Sequence, residues 1–164
     1  MADTSQRLAE RLIQEGEKVC AFCTGLSPQQ WEVQVYSEGS CWTVRQIVAH
    51  FDITETNICW LIRDILAGGS GAPPNFELDA FNERTVAARQ NLSPGELVSN
   101  FAAHRQKTVE LVRQMSAEDL AKIGRHPYLG LVPLADVIKL MYLHNQTHLR
   151  DIRRVLSEKP HENS

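Results

Sequence analysis

The 164-residue sequence predicts an all-α protein, a four-helix bundle folded as one domain over residues 1–164. Four long segments repeat apolar residues at the three- to four-residue spacing of an amphipathic helix. Ser27…Gln30, Thr43…Gln46 and Ser93…Glu96 have the capping-box spacing that starts a helix. Trp31, Val33 and Val35 alternate with polar residues, yet no second strand-like run is present to pair with them, so a sheet is not expected.

The first helix spans about Thr4 to Leu26, with Leu8, Leu12, Ile13, Val19, Phe22, Cys23 and Leu26 on its apolar stripe. Ser27-Pro28-Gln29-Gln30 predicts a short capped turn, and residues 31–42 an irregular connection. The second long helix runs from 43 to 66 and ends at Gly68-Gly69. The stretch GGSGAPP, residues 68–74, reads as a flexible surface loop. A shorter helix follows over 78–91, and a third long helix opens at Ser93-Pro94. Ser116 and Asp119 suggest another capped turn, and residues 124–133, with two prolines and two glycines, read as a loop. The last helix runs from Leu134 to about Ser157.

Composition excludes several classes. At 43% hydrophobic and 23% charged the chain is too apolar for general disorder. A net charge of −3 supplies no basic footprint for nucleic acid. No stretch reaches the roughly 18 apolar residues of a membrane span, and the polar start lacks a secretory signal, so a cytoplasmic protein with no membrane partner is expected. Cys20 and Cys23 form a single C-x2-C one helical turn apart, and Cys41 and Cys59 are isolated. Without a second C-x2-C, Cys20 and Cys23 read as small core residues.

The last helix breaks its own pattern. Counting by threes and fours, its inward stripe is Val137, Met141, His144, His148, Ile152, Val155, which stacks two imidazoles where apolar side chains belong. Burying them costs free energy unless the ring nitrogens find partners, and a divalent metal supplies one partner to both. A helical H-x3-H also describes histidines bonded simply to backbone. A third candidate is His50, at the edge of the second helix's stripe between Ile47 and Phe51. Three imidazoles leave coordination positions open, as in a catalytic site. His104 can be drawn on the third helix's stripe but reads as a boundary residue, while His126 and His161 read as solvated. Thr54 and Asn57 follow His50 on the same face and are candidates to line a pocket or orient a water. Asp79 and Asn82 read as helix-start residues with a capping role, without a catalytic assignment. Trp31, Trp42 and Trp60 read as packing residues or pocket walls, and Arg150, Arg153 and Arg154 as a solvated basic helix end.

Taken in order, Trp42-Thr43-Val44-Arg45-Gln46-Ile47-Val48-Ala49-His50, Asp79-Ala80-Phe81-Asn82, His126-Pro127-Tyr128-Leu129-Gly130 and His144-x3-His148 resemble the DinB-like (YfiT-like) helical bundle proteins. These share a superfamily with the N-terminal domain of the mycothiol-dependent maleylpyruvate isomerase. The resemblance covers nearly the whole chain. It implies a bundle with a long crossover connection, a metal triad matching His50, His144 and His148, a zinc or nickel ion, and a homodimer. It further implies a small-molecule substrate and an S-transferase or isomerase acting with a low-molecular-weight thiol, or a metal-dependent hydrolase. The competing expectation is a non-catalytic metal-binding or stress-response protein, because no general base stands out beyond the ligands.

Overall fold

The computed structural model describes residues 4–158. Four long helices, α1 (Ser5–Thr24), α3 (Val44–Leu66), α5 (Pro94–Arg113) and α7 (Leu134–Glu158), form the bundle. The short helices α2 (Pro28–Trp31), α4 (Leu78–Ala87) and α6 (Ala117–Ala121) lie in the connections. α1 packs on α5 and α7, and α3 packs on the same two helices, so α1 stands diagonal to α3 and α5 diagonal to α7. Each diagonal step needs a connection that crosses the bundle end. Residues 25–43 make the first crossing and residues 114–133 the second.

The caps form where residue chemistry places them. Thr43, Ser27, Ser93 and Ser116 each accept the backbone N–H three residues on, and the side chains of Gln46, Gln30, Glu96 and Asp119 return the bond to the cap N–H. α4 is shorter than the sequence predicts, ending at Ala87. Its N-cap is Glu77 without a side-chain cap bond, and Asp79 lies in the first turn, so the capping role expected for Asp79 reduces to a favourable place near the helix dipole.

The expected absence of strands is corrected by a small antiparallel hairpin. β1 (Ile123–His126) pairs with β2 (Gly130–Pro133), from Ile123 opposite Pro133 to His126 opposite Gly130. Two four-residue strands do not hold themselves together in water, and this pair is supported from outside. The Gly-rich loop after α3 lies along β1: Arg125 donates to the Ser70 carbonyl at 2.8 Å, and Ala72 donates to the Arg125 carbonyl at 2.8 Å. The loop expected to be flexible is thus tied to the hairpin.

Two glycines permit that approach. A Cβ on Gly124 would lie 2.1 Å from Cδ1 of Ile65, so only hydrogen fits there. Gly71 has φ +82°, and a Cβ on it would meet the Arg125 carbonyl oxygen at 2.5 Å. Gly71→Ala therefore combines left-handed backbone with a backbone clash. It is expected to destabilise the protein by about 1–3 kcal/mol, read as a lower urea midpoint at unchanged m-value.

The core is divided along the bundle axis. One apolar cluster centres on Leu12, Ile62, Leu134 and Ile138, the other on Ile47, Phe51, Phe101 and Ile152. Between them lies a buried polar layer: Glu55 of α3, Arg105 of α5 and Asn145 of α7, exposed by only 2%, 4% and 3%. Arg105 grips Glu55 with two bonds, Nε to Oε1 at 2.7 Å and Nη2 to Oε2 at 2.9 Å. It also donates to Asn145 Oδ1 at 2.6 Å and to the Leu12 carbonyl of α1 at 2.9 Å. One side chain thereby joins all four long helices. Asn145 adjoins His144, so the layer fixes the position of α7 against α3 next to the candidate site.

Candidate metal centre

His50 comes from α3, and His144 and His148 from successive turns of α7. Their spacing by four residues stacks the α7 pair on one face, and the packing of α3 on α7 turns His50 toward them. His144 Nε2 lies 3.0 Å from His50 Nε2 and 3.0 Å from His148 Nε2. One nitrogen from each ring lies within 4.8 Å of the others. Zn–N bonds of about 2.0–2.1 Å in tetrahedral array hold their nitrogens about 3.3–3.4 Å apart, close to what is seen.

Protons reconcile this arrangement only through a shared, three-centre hydrogen bond at His144 Nε2. A neutral imidazole nitrogen carries either one N–H or one lone pair, and His144 Nε2 faces two partners. Burial lowers the pKa of His50 to about 3 and of His148 to about 4, and holds His144 well below its ordinary value, so the rings are uncharged near neutral pH. Three convergent lone pairs on neutral rings are the donor set of a divalent cation, and the chemistry of these residues fits one.

His148 is oriented by groups beyond the triad. The Tyr36 hydroxyl lies 2.6 Å from His148 Nδ1 and donates to Asp151 Oδ2 at 3.0 Å. With its single proton given to the carboxylate, the phenol oxygen accepts from His148 Nδ1–H, which frees Nε2 as a lone pair. Burial, and then the Asp151 carboxylate, raise the Tyr36 pKa, so the phenol stays protonated. Among the described residues no hydrogen-bond partner meets the buried Nδ1 atoms of His50 and His144. Support beyond the three rings is therefore concentrated on His148. Tyr36→Phe is expected to weaken zinc or nickel binding by about 10- to 100-fold, measured by competition with a chelating dye.

The triad opens on one side into a cavity of about 520 Å³, lined by His50 and His144 but not His148. Thr54 and Asn57 line it, as the sequence suggested, and Asn82 joins them from α4. Trp60 stands at its rim, 62% exposed, whereas Trp31 and Trp42 are buried and Trp42 packs against the His50 ring. Among the basic residues of the last helix, Arg153 lies over the Phe22 ring.

His104 stands outside the triad, with Nδ1 2.6 Å from Asp52 Oδ1, a carboxylate that also accepts from Arg89 Nε at 3.1 Å. His126, expected in solvent, is 6% exposed and lines the cavity. Burial lowers its pKa to about 4. His161 lies outside the described residues. Cys23 is buried with its thiol pushed up to about 12 by burial, in keeping with a core role; Cys20 is half-buried and Cys41 exposed.

Sequence reasoning passed over Tyr36, Asp151, Arg105, Glu55 and Asn145. Asn145 alone left a usable sign, being four residues from both Met141 and Leu149 in a buried row.

The architecture and the site together define a class: a helical bundle with crossed connections and three histidines from two of its helices converging beside an apolar cavity. Residues 11–152 match the model of the DinB superfamily, and the chain belongs to that superfamily. Among solved structures it is similar to YfiT from Bacillus subtilis, described as a probable metal-dependent hydrolase with an unusual four-helix bundle topology. The two share 17% identity over 92% of this chain and 85% of YfiT, with a TM-score of 0.77. It is also similar to the mycothiol-dependent maleylpyruvate isomerase, at 15% identity over 92% of this chain and a TM-score of 0.70. The chain spans 63% of that enzyme's length. At these identities the likeness is one of fold. Among curated proteins no match was found. Among the described residues no helix is long and apolar enough to cross a membrane.

Proposed function

We propose that this protein is a metal-dependent enzyme in which His50, His144 and His148 hold a divalent ion, zinc or nickel, beside the cavity. The carrying observation is that three uncharged imidazole nitrogens converge while two of the rings also line a 520 Å³ chamber. A closed structural site would place four protein ligands around the ion, and no fourth His, Cys, Asp or Glu joins this cluster among the described residues. A divalent cation held there lowers the pKa of a coordinated water or thiol, which makes a nucleophilic anion available near neutral pH.

The chain's own residues bind and orient. Tyr36 and Asp151 hold His148 in the tautomer that offers Nε2. Thr54, Asn57, Asn82 and Thr147 place neutral polar groups on a wall that, apart from the histidines, is otherwise mainly apolar and excludes bulk water from a bound substrate. Two reaction types suit this chamber, S-transfer from a low-molecular-weight thiol and hydrolysis. One observation favours the non-catalytic reading: among the described residues no carboxylate or lysine lines the cavity, which leaves the imidazoles as the general-base candidates there.

The deciding experiment measures the metal content of purified protein. It then screens thiol conjugation and ester hydrolysis with wild type and His148→Ala. Metal in the wild type, with activity lost in the variant, supports an enzyme. Metal without activity supports a binding protein, and equal activity in both removes the triad from the chemistry.

A further inference from the structure

The cavity's lining says what it admits. Among the described residues around it none is Lys, Arg, Asp or Glu. Trp60, Phe76, Phe81 and Tyr128 contribute aromatic surface, and the remainder is aliphatic apart from a few Thr and Asn side chains. The rim is apolar as well: Trp60, Tyr128 and Leu143 are all largely exposed there. Away from the ion proposed at His50 and His144, moving a carboxylate or phosphate into such a chamber forfeits its hydration with no cationic side chain in return.

His126 gives the chamber one directed polar group. Its Nδ1 accepts the backbone N–H groups of Tyr128 at 3.0 Å and Leu129 at 3.2 Å, in the turn between β1 and β2. A nitrogen accepting two N–H bonds carries a lone pair, so the neutral ring has its proton on Nε2. Nε2 has no protein hydrogen-bond partner among the described residues, and His126 is one of the residues that line the cavity. The ring cannot swing freely, because the turn holds it and the loop of residues 70–72 holds the strand below it.

We propose that the cavity takes an uncharged, mainly apolar small molecule bearing a carbonyl-type oxygen, and that His126 Nε2–H donates to that oxygen. The inference rests on the enzyme reading in treating the cavity as the substrate chamber, but it concerns binding alone. His126 is in this sense a specificity residue, separate from the metal ligands.

The test titrates the protein with two molecules of nearly the same shape, benzylacetone, a neutral ketone, and hydrocinnamate, its carboxylate counterpart. Amide shifts in NMR spectra are followed on chelator-treated and on zinc-loaded samples. On chelator-treated protein, benzylacetone should bind about tenfold or more tightly than hydrocinnamate. It should shift amides around Trp60, Phe81 and Tyr128.

His126→Asn keeps an acceptor near the Nδ1 position for the turn and removes the Nε2 donor. It should weaken benzylacetone about fivefold and leave butylbenzene, which has no oxygen, unchanged. Equal binding of ketone and carboxylate, no binding of the ketone, or an unchanged ketone affinity in His126→Asn each overturns the proposal. Ketone binding that strengthens as the protein is diluted would mean a second copy of the chain covers the rim, and would also overturn it. Because the chelator-treated arm contains no metal, failure of the metal reading leaves this result interpretable.

Discussion

Replacing Arg105 by methionine is expected to destabilise the protein by about 3–5 kcal/mol, a large share of the 5–15 kcal/mol typical of a domain. The substitution retains most of the aliphatic volume over the Phe101 ring, which the guanidinium carbon approaches to 5.0 Å from the centroid. It deletes every bond that ties the four helices together at this level. Glu55 is then left as a buried carboxylate without its bidentate partner, and Asn145 Oδ1 and the Leu12 carbonyl lose their donor. The carboxylate must take up a proton, draw in water or open the helices. Arg105→Met with Glu55→Met removes both charges and should recover much of the loss, since an apolar pair in place of a buried ion pair is often neutral or better. Urea denaturation of the single and double variants checks this. A single-variant loss under 1 kcal/mol would show that the layer contributes little to stability.

The parts of this protein that sequence makes legible are those whose period is local. Helical spacing and capping residues place the four long helices because each of those signals acts within a few residues. His144 and His148 are recognisable for the same reason: two imidazoles on an inward stripe contradict their surroundings. His50 could be joined to them because it too lies beside an apolar stripe. Tyr36 could not. It belongs to the irregular segment before α3 and meets His148 across 112 positions of sequence, a separation no local period reports.

Arg105 was hidden differently, since an arginine in a helix ordinarily faces water and its partners Glu55 and Asn145 lie on two other helices. The hairpin escaped because its strands are four residues long and flanked by Gly and Pro. Its stability comes from the loop of residues 70–72, which has no pattern of its own. That same long-range pairing turned a loop expected to be flexible into a fixed wall, and an expected surface histidine, His126, into a buried one.

Adding zinc at about a thousandfold excess over its dissociation constant is expected to stabilise the wild type by about 4 kcal/mol. For a chain of this size that is a rise in melting temperature of roughly 8–16 °C. The gain follows from linkage, because a cation that binds only the folded arrangement of His50, His144 and His148 shifts the equilibrium toward it. His144→Ala should abolish most of the rise. His144 is the central member, with a contact of 3.0 Å to each of the other two Nε2 atoms, and without it the remaining pair leaves one side of the ion unfilled. The comparison is the zinc-dependent change within each protein, so any stability lost by emptying the His144 position cancels. His104→Ala is the matched control, since its ring on α5 pairs with Asp52 of α3 and takes no part in the triad. It should keep the full zinc response even if its baseline stability falls. An equal rise in wild type and His144→Ala would place zinc binding elsewhere on the chain. No rise in either would mean that the three nitrogens, however close, do not hold this ion.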